Sequence, residues 1–254
     1  MAEIKKGILS DIEGHLGGNT IYMRGNKTFI RPSHIQQPRR LSRKQLVLRE
    51  QIAHNNILWR RLKATGHTYF EGGVDAYRRF MSVNTLSPVA YLTKQQVSNN
   101  FTLLLPRMAV SSGPLTPISY QIGNVDGQPA LLTDLTDKDF INGEYLLYVL
   151  QQKVIPWQIG EEHAQILISV VPITPGQDIQ IRGLGTVRLT NVHSTILLVG
   201  DIFADSMLGF AIVRKADGHV SSQYVITPCT YYQRYTTEEA LQAAANSYGG
   251  LTQK

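Results

Sequence analysis

Apolar residues recur at helical spacing between residues 42 and 64. Ser42 is a suitable N-cap, and Gln45 stands three residues later, which is the pattern of a capping box. We therefore expect a helix from Ser42 to about Ala64, with Gly66 close to its C-terminal end.

The apolar residues of this helix point to more than one side. Leu48, Ile52 and Trp59 share one side, whereas Leu46 and Ile57 lie elsewhere. A helix that is apolar on several sides packs against several neighbours. We expect these neighbours to come from its own fold or from other subunits.

The residues on either side of this helix predict further local structure. Thr20–Arg24 and Lys27–Arg31 are β-rich runs separated by Gly25-Asn26, which favours a β-hairpin. A second helix is expected from about Val74 to Val83. The two helices would then form a helical hairpin that buries its aromatic residues.

From residue 85 the pattern changes to alternation and to β-branched residues, with frequent turn residues. Many short strands of this kind favour a sandwich or barrel over a parallel α/β sheet. The candidate strands are Ser87–Leu92, Phe101–Val110, Ile118–Ile122, Ala164–Val171, Ile179–Ile181, Thr186–Thr190, Thr195–Val199, Gly209–Arg214 and Gln223–Thr227. Between them, Asp137–Ile155 has apolar spacing that suits a helix, but Gly143 leaves a strand open.

The C-terminus has another capping-box pattern, Thr236 to Glu239, before an alanine-rich run that ends at Gly249 and Gly250. The chain thus reads as α+β and mainly β. We expect a basic hairpin arm and two helices over 1–84, and an immunoglobulin-like β-sandwich over 85–235. A possible insertion lies at 134–190, and a short helix and tail occupy 236–254.

Charge is concentrated at the front of the chain. Residues 20–63 carry eleven Lys and Arg but a single acid, Glu50, whereas residues 84–254 carry ten basic and thirteen acidic residues. Such a split indicates a surface that meets an anionic partner.

We take the basic residues as the candidate interface or anion-binding site, with apolar anchors beside them. The basic members are Arg24, Lys27, Arg31, Arg39, Arg40, Arg43, Lys44, Arg60 and Arg61. The apolar anchors are Ile21, Tyr22, Phe29 and Trp59. Three interpretations stay open: contact with acidic surfaces of other subunits, contact with nucleic acid on which Tyr22 and Phe29 stack, and a merely solvated basic face.

The sequence holds no catalytic or metal motif that stands out. Cys229 is the single cysteine, which excludes an intramolecular disulfide and favours a buried structural thiol. His54 on the long helix is expected to be partly exposed. We expect no enzyme activity, no cofactor, no metal, no small-molecule substrate and no membrane contact.

Short motifs along the chain carry a resemblance. In chain order they are a glycine-rich opening, the hairpin with Arg24, Lys27, Phe29 and Arg31, the helix start Arg39 to Arg49, the residues Ala76, Tyr77, Phe80 and Asn84, the turn Val110–Leu115, and Asp217–Val225. Together they resemble an uncharacterised domain family of Bacteroidota bacteria and their phages, including crAss-like phages. The resemblance spans most of residues 7–226, and the chain departs from the pattern at 134–190 and in its alanine-rich tail.

This resemblance implies an immunoglobulin-like sandwich after a basic hairpin and helix, and it implies no known activity. It also favours a virion component. Our hypothesis is a structural protein of a phage particle, a ring, collar or connector near the portal or tail. It would bind further copies of itself and other virion proteins, and would be assembled in the host cytoplasm. The alternative function is nucleic-acid binding, and the alternative location is the bacterial cytoplasm.

Overall fold

The computed structural model describes eleven stretches of the chain. They are residues 2–4, 14–16, 19–24, 27–32, 41–71, 75–158, 161–181, 184–189, 194–198, 206–226 and 229–251. The chain divides into two compact units, 1–40 and 41–254. The three-part division that the sequence suggests stays a prediction.

The first unit contains a four-stranded antiparallel sheet with the order β1-β4-β3-β2. Its strands are β1 Ala2–Ile4, β2 Gly14–Leu16, β3 Asn19–Arg24 and β4 Lys27–Pro32. Arg24 pairs with Lys27 and Tyr22 with Phe29, so the predicted pairing of these two runs is confirmed. The interpretation of this hairpin as an arm stays a prediction.

The described part of the second unit contains four α-helices. They are α1 Arg43–Ala64, α2 Ala76–Val83, α3 Lys94–Ser98 and α4 Glu238–Ser247. Ser42 caps α1 with the predicted capping box. The cap of α4 is Thr237 rather than Thr236, because the Thr237 hydroxyl accepts the Ala240 N–H.

The described strands of the second unit form three antiparallel sheets, with the orders β10-β11-β12-β7-β6, β13-β8-β9 and β14-β5. The strands are β5 Ala109–Ser111, β6 Tyr120–Val125, β7 Gln128–Thr133, β8 Tyr145–Gln158, β9 Glu161–Ile173, β10 Ile179–Ile181, β11 Gly185–Leu189, β12 Ser194–Leu198, β13 Ser206–Arg214 and β14 Gln223–Tyr224. The fold is therefore α+β with mostly strands, as predicted.

In the three-stranded sheet, β13 and residues 147–150 of β8 are buried on both faces. Leu147 and Val149 of β8 lie in one apolar cluster with Phe210 of β13, whereas Tyr148 and Leu150 lie in the other. This is why eight consecutive residues of β13 are buried and why its sequence is continuously apolar rather than alternating.

Different elements cover the two faces. The five-stranded sheet covers one face through Leu131 of β7 and Val187 of β11. Leu58 and Leu62 of α1 and Phe80 of α2 belong to the cluster on the other face. One sheet thus joins the helical part and the strand-rich part of this unit.

Two predicted strands are absent in whole or in large part. Ser87–Leu92 is not a strand, and Phe101–Val110 is irregular until β5 begins at Ala109. For Asp137–Ile155, where the apolar spacing suited a helix but a strand stayed open, the structure has a 3-10 helix over Asp137–Phe140 followed by the strand β8.

Side chains replace the β-ladder for these irregular segments. The Leu92 N–H donates to Glu50 Oε2 at 3.0 Å, and Nε2 of His54 lies 2.8 Å from the Leu103 carbonyl oxygen. Gln152 of β8 accepts from the Leu104 N–H and donates to the Thr102 carbonyl. Buried backbone groups are therefore satisfied without strand pairing, which a periodicity argument does not detect.

A glycine on β13 permits close packing between sheet layers. A Cβ built on Gly209 would lie 2.5 Å from Val110 Cγ1, which is closer than atoms tolerate. We expect Gly209→Ala to lower the free energy of unfolding by about 1–3 kcal/mol through overpacking. Urea unfolding would measure this loss. The double variant Gly209→Ala with Val110→Ala should lose less stability than the sum of the two single losses, because the smaller residue 110 leaves room for the new methyl group. Losses that add strictly would contradict the contact.

Candidate binding surfaces

The start of α1 is set by local sequence. Ser42 Oγ accepts the Gln45 N–H at 3.3 Å, and Gln45 Oε1 accepts the Ser42 N–H at 2.9 Å. Two backbone donors at the helix start are thus satisfied by side chains. This cap fixes which residues of α1 face the core and which face solvent.

Glu50 is the only acid of α1, and it is buried. The exposed or half-buried charges of α1 are therefore all positive: Arg43, Lys44, Arg49, Arg60, Arg61 and Lys63. The helix presents an unbalanced positive surface, as the sequence suggested.

Several predicted interface cations already have partners within the chain. Arg43 forms a bidentate pair with Glu238 of α4, at 2.6 and 3.0 Å. Arg61 donates to the Asn100 carbonyl at 2.5 Å, and burial lowers the pKa of its guanidinium. Arg60 is exposed and reaches back to the Asn56 carbonyl. An exposed ion pair such as Arg43–Glu238 contributes little to stability, so Arg43 is available for exchange to an external partner.

The outer side of α1 is apolar and exposed. Leu48 is 57% exposed and Ile52 is 43% exposed. Gln51, their neighbour on the helix, donates to the carbonyl of Thr85 at 2.5 Å. Thr85 directly precedes Leu86, which is 87% exposed. We call Lys44, Leu48, Ile52 and Leu86 the outer ridge.

A cleft runs beside the outer ridge. It has a volume of about 980 Å³ and is lined by Arg43, Val47, Leu48, Gln51 and Leu251 among others. Its walls are mainly apolar, with positive charge at one end. Such a shape suits an apolar side chain accompanied by a negative group.

The inner side of α1 carries two buried titratable residues one turn apart. Burial raises the pKa of Glu50 to about 7, although the Leu92 N–H and the Arg49 charge act in the opposite direction. Burial lowers the pKa of His54 to about 4, so this histidine is neutral, and the expectation that it is partly exposed was wrong. Glu50 Oε1 and His54 Nδ1 have no hydrogen-bond partner among the described residues.

Trp59 has an internal role. Its ring centroid lies 5.3 Å from that of Phe80 and 6.2 Å from that of Phe70, and it packs against the core. These contacts account for Trp59 without an external partner, and its predicted role as an interface anchor stays a prediction.

In the first unit, an aromatic pair lies on one face of the sheet. The rings of Tyr22 and Phe29 stack at 5.6 Å with an interplanar angle of 21°, and the Arg31 guanidinium lies 5.6 Å from the Tyr22 ring centre. Arg31 is exposed. Arg24 and Lys27 pair at the turn end of the same two strands.

The other predicted residues of this unit are placed less completely. Ile21 is buried, at 2% exposure, so it is not an exposed anchor. Arg39 and Arg40 lie outside the described residues.

A polar network that the sequence reasoning missed closes the end of β13. Glu71 accepts the Val220 N–H at 2.7 Å and lies 2.7 Å from His219 Nδ1. Asp217 pairs with Arg214, which lowers the pKa of the Asp217 carboxyl to about 2. The network ties residue 71 to the 217–220 turn, so we assign it a structural role.

Comparison with known proteins finds no matching family model and no matching curated sequence. The resemblance carried by the short motifs therefore stays a prediction. Within the described residues, no group of three or more His, Cys, Asp or Glu side chains is arranged to hold a metal ion. Of the helices that the structure describes, none has the length and apolar character needed to cross a bilayer.

The raised pKa of Glu50 makes a prediction about pH. Between pH 4.5 and about 7, the Glu50 carboxyl is protonated in the folded protein but ionised in the unfolded chain. The free energy of unfolding therefore falls as pH rises through this range. We expect the free energy of unfolding of Glu50→Gln to exceed that of wild type by about 1–3 kcal/mol at pH 8. Most of this difference should disappear near pH 4.5.

Urea unfolding of both proteins across this pH range would measure the difference. The contribution of His54 is present in both proteins and cancels. A stability difference between the two proteins that does not change with pH would contradict the assignment of a neutral, buried Glu50.

Proposed function

We propose that the protein is a non-enzymatic assembly subunit that works as repeated copies in a symmetric homo-oligomer. The observation that carries the proposal is the outer ridge. Three large apolar side chains stand exposed on it, next to positive charges that have no exposed acid on the same helix. Contiguous exposed apolar residues with a charged margin are typical of protein–protein interaction sites.

The strand order supports the finer fold that we propose for the body, an immunoglobulin-like sandwich. In one sheet β12 lies between β11 and β7, and in the other β13 pairs with β8. Numbered along the chain, β6, β7, β8, β11, β12 and β13 then correspond to strands A, B, C, D, E and F of that fold. We also propose that the β3–β4 hairpin acts as an arm in assembly.

The setting that fits the resemblance is a phage virion. There the protein would be a ring, collar or connector near the portal or tail, built in the host cytoplasm and bound to other virion proteins. In a ring, each copy uses two different surfaces, one for each neighbour. The polarised charge of this chain, positive at the front and mildly negative in the body, suits that arrangement.

Nucleic-acid binding is the second candidate, and one observation favours it. The stacked Tyr22 and Phe29 rings, both half-buried, form an aromatic and cationic cluster with the exposed Arg31. Single-stranded nucleic-acid binders combine aromatic rings for base stacking with cations for phosphates.

The assembly proposal predicts a mass above that of one chain. We expect light scattering after size-exclusion chromatography to give an integer multiple of 28.4 kDa, greater than one. Leu48→Gln with Leu86→Gln should shift the protein towards the monomer mass, because it removes apolar area from the outer ridge. Ile141→Gln, at an equally exposed apolar site, is the matched control. A monomer at every concentration would refute the proposal.

The second candidate predicts salt-sensitive binding of single-stranded oligonucleotides. Affinity in a gel-shift titration should fall steeply as salt increases. Tyr22→Ala with Arg31→Glu should abolish the shift, whereas Arg60→Glu, an exposed cation in the other unit, should leave it largely unchanged. Absence of any shift at low salt, with DNA and with RNA, would eliminate this candidate.

A further inference from the structure

A second apolar opening lies at the edge of the five-stranded sheet. Ile122 of β6 pairs with Leu131 of β7, so both side chains lie on the same face of the sheet. Leu131 is fully buried, yet Ile122 is 53% exposed, and nearby Tyr224 is 50% exposed. The core that the two large sheets share is therefore left uncovered at this edge.

A cleft of about 490 Å³ marks this opening. Ile118, Tyr120, Ile122, Tyr224 and Ile226 line it, together with the polar residues Ser119 and Gln223. The Tyr120 hydroxyl is buried and has no hydrogen-bond partner among the described residues. The apolar part of this cleft is a place where an incoming apolar side chain gains contact area.

The acids placed next to this cleft carry the opposite charge to the cations around the outer ridge. Asp134 accepts the N–H of Ser119, which lines the cleft, and Asp126 lies in the turn between β6 and β7. Asp126 and Asp134 are exposed. The outer ridge, in contrast, lies on a helix whose exposed charges are all positive. Opposite charges at two separate apolar sites favour contact between them and disfavour contact of either site with itself.

We propose that the outer ridge of one copy docks into this cleft, which we call the β6 edge cleft, on the next copy. This inference rests on the proposed function. The contact is head to tail, since two different surfaces meet. Contacts of this type repeat around a ring when the rotation between copies closes. Leu48 or Ile52 enters the cleft beside Ile122, and Lys44 faces the acidic β6–β7 hairpin.

Cysteine cross-linking between separately prepared variants tests this contact. Leu48→Cys and Ile122→Cys each place a thiol at a half-exposed position, and the native Cys229 is buried. The two proteins are mixed, allowed to exchange subunits and treated with a short bismaleimide. We expect a covalent dimer in the mixture, and none from either variant alone, because the contact joins unlike surfaces.

A matched control uses the opposite edge of the same sheet. Gln180→Cys lies on β10, at the far end of the strand order from β6, and is exposed. Leu48→Cys mixed with Gln180→Cys should give no dimer. Equal dimer from this pair, or dimer from Leu48→Cys alone, would overturn the proposed contact.

Light scattering on the wild-type protein distinguishes failure of this contact from failure of the assembly function. An oligomer without the Leu48→Cys and Ile122→Cys cross-link would overturn this contact and leave the assembly function standing. A monomer without the cross-link would overturn both. An oligomer whose cross-linked product is confined to the mixed pair would support both.

Discussion

Buried side chains of α1 hydrogen-bond to irregular backbone, and the arrangement of the second unit depends on these bonds. Glu50 accepts the Leu92 N–H, and His54 Nε2 lies within bonding distance of the Leu103 carbonyl. The segments around Leu92 and Leu103 pack under the helix without strand pairing, so these bonds satisfy backbone groups that would otherwise be buried and unpaired. The buried side of α1 carries these two polar residues together with Leu46, Leu58 and Leu62, whereas Leu48 and Ile52 are exposed.

The packing of the three-stranded sheet also determines how the second unit is arranged. Strand β13 is buried on both faces, with the five-stranded sheet on one side and the helical cluster on the other. Its Gly209 lies against Val110 with no room for a Cβ, which brings these layers into close contact. The sheet holds the outer ridge of α1 and the β6 edge cleft in one compact unit, which a repeated head-to-tail contact requires.

Local signals in the sequence predicted local structure well. The capping box at Ser42 and Gln45 gave α1 within a residue, and the Gly25-Asn26 spacing gave the pairing of β3 with β4. The irregular segment before β5 was misread as a strand, and β8 was left undecided between helix and strand, because their hydrogen-bond partners lie far away in sequence. Gln152, for example, bonds to Thr102 and Leu104 across about fifty residues. No periodicity carries that information.

Only part of the candidate surface could be predicted, because some of its contacts also join residues that are far apart in sequence. The excess of positive charge on α1 is visible in the sequence, whereas the pairing of Arg43 with Glu238 is not, since 195 residues separate them. Glu50 and His54 resemble ordinary surface residues by type. Their position at one-turn spacing, on the side away from Leu48, was the available signal that a polar stripe faces inwards.

The central claim is that the outer ridge is exposed in the single chain and covered in the assembly. Hydroxyl-radical footprinting of the full chain at low and high concentration measures this directly, since it reports the solvent access of individual side chains. The account predicts that Leu48, Ile52 and Leu86 lose reactivity as concentration rises, whereas exposed Ile141 does not. Unchanged reactivity of the outer ridge in a sample that is fully oligomeric would contradict it.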